Sequence, residues 1–399
     1  MRVGTPGFVP ERLTEARAAR RIASMTALAR LLSASPSTVT RWEDGSSAPD
    51  GEALTRLSNE LRVRREFFLR PTFNTNRPMF KRSLSTTLVR DIDYQKSQMK
   101  WMHEISSIAL HYVDFPKVDI PDILNGATYK QLRDEDIEKV ALDLRKYWNI
   151  GEGPCTDIVA LMERVGCIVS AIEMGTSKLD GLCSWSSAED RPHVLLATDK
   201  MSYTRRQMDA AHELAHIVLH RDVSEDELKK NHSLIESQAF RLANAFLLPS
   251  TTYPYEVSLA SLAKLVALKE RWRVSIKAQI KRLRDLKIIP EDHATYLYKL
   301  YSTKGWSREE PFDREWNVPN PHTLSDAMNL IVESGVRTKA DLLSVEFTMQ
   351  AGDIENIANL PPGWFAERSG QVVRLKIQQK ETVPFSESGV VIPFDKKVL

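Results

Sequence analysis

The sequence predicts a mainly α protein with one small β-sheet, an α+β chain. Three observations carry this. Apolar residues recur at helical spacing through residues 8–70, 88–113, 135–149 and 203–287. Only three short runs ahead of residue 300, CIVSAIEM, DGLCSWSS and HVLLAT, are β-prone and bounded by turn residues. The tail is helical again from about 323 to 360, then β-like in VVRLKIQQK and GVVIPF.

At 399 residues the chain has room for about two to four domains. Residues 1–72 read as short helices with tight turns: Leu13, Ala16 and Ile22, then Leu28, Ala29 and Leu32, then Val39 and Trp42, then Leu54, Leu57 and Leu61. Residues 73–134 hold a linker, rich in proline, asparagine and basic residues to about 85, and then a long amphipathic helix. Residues 135–252 alternate helices (135–149, 156–165, 203–220, 234–248) with the β-prone runs. Residues 253–300 give two more helices. In them the basic run Lys277, Lys281, Arg282, Arg284 and Lys287 reads as a solvated face. Residues 301–399 read as a C-terminal domain without a functional signal, and a regulatory or homodimer-forming role is the expectation for residues 320–399.

Composition excludes several classes. No apolar run approaches ~20 residues, so no membrane span is expected. The start, MRVGTPGFVPERL, lacks the apolar core of a secretory signal. Cys155, Cys167 and Cys183 form no CxxC pair and read as reduced thiols of a cytoplasmic protein. Net charge is only +2, yet residues 1–100 hold 18 Lys+Arg against 10 Asp+Glu, a surplus of 8. The remaining residues therefore carry a deficit of 6, and only the front of the chain is suited to a polyanion.

That front contains LARLLSASPSTVTRWEDG, from Leu28 to Gly45. Ser33-Ala34 makes a turn, Ser35 is an N-cap, and Pro36 sits at the first helical position, where its missing N–H costs nothing. Val39 and Trp42 face inward. Ser37, Thr38 and Arg41 face outward, small enough at the N-terminus to enter a major groove and basic enough to reach a guanine edge or phosphate. A plain helical hairpin satisfies the same pattern. The run Leu28-Ala29, Ser35, Ser37-Thr38-Val39, Arg41-Trp42-Glu43, Gly45 and Pro49 resembles the helix-turn-helix of Xre-type, phage-repressor-like regulators. The resemblance covers about 60 residues. It implies a λ-repressor-like helical domain that binds double-stranded operator DNA. Ser33 departs from it, standing where that family has glycine.

The middle contains MDAAHELAHIVLH, from Met208 to His220. Residues four apart share a helix face, so His212 and His216 can pinch one metal ion. Glu213 projects beside it. This is the HExxH arrangement, in which zinc acidifies a water and the glutamate takes its proton and passes it to the leaving amine. By chance alone, roughly one chain in a hundred of this composition carries the motif, so a core helix with two packed histidines remains the competing reading.

A catalytic zinc needs a third protein ligand. His220, at i+8 from His212, has drifted about 80° and two turns, and cannot close the site from a straight helix. Downstream, LIESQAFRLANAFLLP buries Ile235, Ala239, Leu242, Ala243 and Phe246. Glu236, three and seven residues before Ala239 and Ala243, points to that inner face, where a carboxylate needs a partner. Asp222 and Glu225 rank lower because they fall in the turn.

MDAAHELAHIVLH followed by ESQAFRLANAFLLP resembles the ImmA/IrrE-type metallopeptidases, and the likeness runs from about residue 8 to 300. It implies a zincin-like core, Zn2+ as cofactor, His212, His216 and Glu236 as ligands and Glu213 as general base. It also implies a protein substrate, typically a partner repressor, in stress response, mobile-element control or phage defence. Ala215 and Phe240 replace the family's usual glycine and asparagine. Tyr203, Tyr253, Tyr255 and His232 are low-ranking candidates for oxyanion stabilisation. Two functions stay open: an endopeptidase fused to a DNA-binding head, and a transcription regulator whose zinc domain is a sensor or catalytically silent.

Overall fold

A computed structural model describes residues 4–73, 77–81, 89–176, 179–199 and 202–366. The described residues up to Phe365 form one compact unit. The β-like runs VVRLKIQQK and GVVIPF lie outside the described residues.

Four helices open the chain: α1 (Pro10–Ala19), α2 (Met25–Leu31), α3 (Pro36–Glu43) and α4 (Gly51–Leu61). Their ends follow local chemistry. The side chains of Ser24, Ser35 and Asp50 accept the backbone N–H groups of Ala27, Thr38 and Ala53. Their inner faces meet through Leu13, Leu28, Val39, Leu54 and Leu57, all fully or almost fully buried. Arg17 clamps Glu43 through two nitrogens at 2.6 and 3.2 Å, tying α1 to α3.

Ser33, between α2 and α3, takes φ 51°, the left-handed region that favours glycine. A β-carbon there costs about 1–2 kcal/mol. Glycine relieves this but returns roughly 0.5–1 kcal/mol as chain entropy. Ser33→Gly is therefore expected to stabilise the protein by about 0.5–1 kcal/mol, read as a higher denaturation midpoint. A lower midpoint contradicts the strain.

The long helix α5 (Val89–Leu110) is not a solvated spacer. Its Met99, Trp101, Met102 and Ile105 are wholly buried beneath the opening helices. Arg12 joins the two bodies by donating to Glu15 at 2.8 Å and Glu104 at 2.9 Å, and Trp101 donates to Glu15 at 2.9 Å.

Next come α6 (Asp134–Tyr147) and α7 (Ile158–Arg164). The sheet has four strands: β1 (Phe80–Lys81), β2 (Ile168–Ile172), β3 (Gly181–Ser186) and β4 (Arg191–Ala197). Their order is β1-β3-β4-β2, with β2–β4 parallel and the other pairs antiparallel. β1 falls inside the stretch read as a linker. It pairs Phe80 with Cys183 and Lys81 with Leu182, and Phe80 is 2% exposed.

Side chains alternate between two cores, one on each face of the sheet. Val169, Cys183, Trp185, Val194 and Leu196 face the first, with α6 and α7. Ile168, Ile172, Leu182 and Leu195 face the second, with the opening helices and α5. Both faces are covered, so the strands read as continuous apolar runs.

The helices α8 (Tyr203–Leu219), α9 (Glu225–Leu247), α10 (Leu262–Trp272), α11 (Ile276–Asp285) and α12 (Glu291–Thr303) complete the first core. α9 starts nine residues earlier than its apolar pattern predicts, behind a Ser224/Glu227 capping box, and kinks at Asn231. Arg282 corrects the solvated-face reading of its basic run. It is 1% exposed, donates to Glu138 at 2.6 and 2.7 Å, and binds the Leu248 carbonyl. The helical tail is broken into α13 (Thr323–Glu333), α14 (Lys339–Asp341) and α15 (Ala351–Ile357). It packs in the second core, where Asp353 pairs with Arg20 at 2.6 Å.

A buried polar cluster sits between α5 and the sheet. The rings of His103 and His193 lie 4.1 Å apart, and Glu189, which accepts from Ser106 at 3.2 Å, lies 3.7 Å from His193. Burial holds both histidines neutral, with His103 pushed down to about 3, and pushes Glu189 up to about 7. A carboxyl raised by folding favours the folded state below its unfolded value and costs stability as pH rises through its folded value. Glu189→Gln should therefore gain on the parent between pH 4.5 and about 7, on the order of 3 kcal/mol. Parallel denaturation curves at pH 4 and pH 8 check this, and a constant difference contradicts it.

Candidate metal centre

Ser202 caps α8 through the Arg205 N–H, and the helix runs into the first core with its second half enclosed. The four-residue spacing puts His212 and His216 on one face, where their Nε2 atoms lie 3.1 Å apart. α9 packs on this face and brings Glu236 between them. Glu236 Oε2 is 3.4 Å from His212 Nε2, and Oε1 is 3.3 Å from His216 Nε2. Among the described residues, these three form the one cluster of ligand atoms close enough to share a metal ion.

The residues fit a small divalent ion on two counts. Ligands 2.0–2.1 Å from a tetrahedral zinc lie about 3.3 Å from one another; the two Nε2 atoms stand 3.1 Å apart, and each faces a different Glu236 oxygen, at 3.4 Å for His212 and 3.3 Å for His216. Both Glu236 oxygens are also buried, with no hydrogen-bond partner among the described residues, a costly condition that a cation relieves. Burial pushes His216 down to about 4, leaving a neutral ring with a lone pair to offer. Two imidazole nitrogens and one carboxylate oxygen are a zinc donor set with a fourth position to spare.

Glu213 lies beneath this group, 2% exposed, with its Oε2 unpaired. Burial drives its carboxyl well above the usual range. Its Oε1 rests on the backbone of Gly181 in β3, where a β-carbon would stand 2.8 Å away. Gly181 thus makes room for the glutamate. A glycine inside a β-prone run signals such close approach, and this one escapes a reading based on polar residues.

The other residues divide clearly. His220 is fully buried, and its Nδ1 lies 3.1 Å from His216 Nδ1, on the far side of that ring from the cluster. Asp222 and Glu225 are exposed, and Glu225 faces Lys229 at 3.9 Å. Tyr203 donates to the Thr156 carbonyl, Tyr253 donates to Gln279 at 3.0 Å, and Tyr255 is 84% exposed. Of the four oxyanion candidates only His232 is at the cluster, with Nε2 3.9 Å from Glu236 Oε1. Ala215 is buried in the helix packing. Phe240 sits with its ring 4.2 Å from that of His212. Together with Met208, Asp209 and Asn244 it lines an open cleft of about 670 Å³. In the opening helices, Ser37 and Arg41 are exposed and Thr38 is half-buried.

Residues 162–284 match the family model described as the IrrE N-terminal-like domain, peptidase family M78. The matched segment spans the sheet strands β2 to β4 and α8 to α10, ending in α11, so the whole cluster lies inside it. No curated protein matches the chain. The match supports a metallopeptidase-type function for the IrrE-like segment. No helix among the described residues is long and apolar enough to cross a membrane.

Proposed function

We propose that the chain is a zinc-dependent endopeptidase joined to a DNA-binding helix-turn-helix, and that it cleaves a partner repressor or similar regulatory protein. The observation that carries the peptidase reading is the close grouping of His212, His216 and Glu236 beside the buried Glu213. A zinc ion bound there would supply Lewis acidity, acidifying a water and polarising the scissile carbonyl.

The chain's own residues supply the rest. Glu213, whose burial raises its proton affinity, accepts a proton from the attacking water and returns it to the departing amine. The carbonyl carbon gains the hydroxyl, the C–N bond breaks, and the amine leaves with the proton. His232, with Nε2 3.9 Å from Glu236 Oε1, is the side chain we assign to stabilising the oxyanion. The cleft holds the polypeptide, with Phe240 as an apolar floor beside His212. Co-expression with the products of neighbouring genes tests this. The wild type is expected to produce a cleaved fragment that the Glu213→Gln variant does not. A regulator with no fragment in either case favours a sensor or silent module.

DNA binding rests on the basic front and on the outward Ser37 and Arg41 of α3, which are exposed among the described residues. Arg41→Ala is expected to weaken binding to the protein's own promoter by about 1–3 kcal/mol in a gel-shift titration. No shift for the wild type at any salt concentration contradicts it.

A further inference from the structure

We infer that His220 and Gln238 are positioning residues that set the tautomer of His216, so that its Nε2 lone pair is always turned toward the metal cluster. The inference rests on the metal-site reading above and assigns roles to two residues outside the ligand set.

The chain of hydrogen bonds has one consistent direction. It begins at the Tyr129 carbonyl, which only accepts. Gln238 meets it at 2.7 Å, so the amide nitrogen of Gln238 is the end facing Tyr129. The amide oxygen therefore faces His220 Nε2, 3.2 Å away, and an amide oxygen only accepts. His220 Nε2 must carry the proton. A neutral imidazole carries one proton, which leaves His220 Nδ1 with a lone pair. That lone pair faces His216 Nδ1 at 3.1 Å, so His216 Nδ1 carries the proton and donates. The remaining nitrogen of His216, Nε2, is bare and lies 3.3 Å from Glu236 and 3.1 Å from His212 Nε2.

Packing holds the chain in line. Phe80 stacks on His216 with ring centres 4.9 Å apart, and Phe80 and Tyr129 flank His220 at 6.0 and 5.7 Å. His220 and Gln238 are 0% and 3% exposed. The control is one-sided, because Nδ1 of His212 is buried with no hydrogen-bond partner among the described residues. A ligand held in its metal-ready tautomer spends no free energy on proton rearrangement when the ion arrives, and loss of such a partner typically costs 10–100-fold in metal affinity.

The test uses the full chain. In wild-type protein stripped of metal, two-bond 15N–1H spectra of 15N-histidine-labelled protein should show His216 as the Nδ1–H tautomer. Gln238→Met keeps the side-chain length but removes the acceptor. It should weaken Zn2+ binding by about 10–100-fold in a chelator competition and populate the other tautomer of His216, with the melting point of the metal-free protein little changed. Gln238→Glu, whose protonated carboxyl can donate to the Tyr129 carbonyl and accept from His220, should return affinity to within about threefold of wild type. An Nε2–H tautomer at His216 in the wild type, or unchanged affinity in Gln238→Met, overturns the inference. If the wild type binds no Zn2+, the metal-site reading fails, while the tautomer measurement still decides this one.

Discussion

Replacing Glu213 with glutamine is expected to leave the bound metal in place and lower hydrolysis by about 10²–10⁴-fold, the range attributed to a positioned general base. The substitution is nearly isosteric, so the close fit against Gly181 survives. The amide cannot accept the proton of an attacking water, and no other carboxylate among the described residues stands ready. Glu236 is engaged between the two histidines, and Asp209 lies a turn earlier on α8. The check is cleavage of the co-expressed target under single-turnover conditions, with metal content measured on the same sample. A variant that keeps its metal and still cleaves at more than a tenth of the wild-type rate would remove Glu213 from the mechanism. Burial of the ionised carboxyl is unfavourable, so the glutamine variant should also be at least as stable as the parent.

Removing Glu236 should act through the metal instead. Structural zinc sites bind with about 10–16 kcal/mol over four ligands, so one ligand represents roughly 3 kcal/mol, or about two orders of magnitude in affinity. Glu236→Ala is expected to lose Zn2+ to a chelator that the wild type resists, and to lose hydrolysis with it. Excess Zn2+ should restore part of the activity in Glu236→Ala and none in Glu213→Gln. This contrast separates a ligand from a base. Equal metal retention by Glu236→Ala and wild type would place the third ligand elsewhere.

Features set by local chemistry are legible in the sequence. The Ser35-Pro36 start of α3, the inward Val39 and Trp42, and the shared face of His212 and His216 all follow from capping and helical period. The inward direction of Glu236 follows from its offset to Ala239 and Ala243 on α9. Features set by distant partners are not legible. The first half of α9, EDELKKNHS, has one buried leucine and is held by its capping box and the helix behind it. Phe80 joins the sheet and the ligand histidine from inside a polar stretch. Arg282 looks like its exposed neighbours until Glu138, 144 residues away, is brought to it. His220 is excluded from the cluster by helical geometry, yet nothing in the spacing shows that its partner is Gln238. The attachment of the opening helices to α5 and to Asp353 depends on Arg12 and Arg20 meeting acids far along the chain.

Elemental analysis of the wild-type protein, purified without chelator and with Zn2+ in the medium, tests the central claim most directly. About one zinc per chain is expected, falling below about 0.2 in His216→Ala. A wild-type protein with less than about 0.2 zinc per chain, or a His216→Ala variant that holds as much metal as the parent, would contradict a metal centre built on His212, His216 and Glu236.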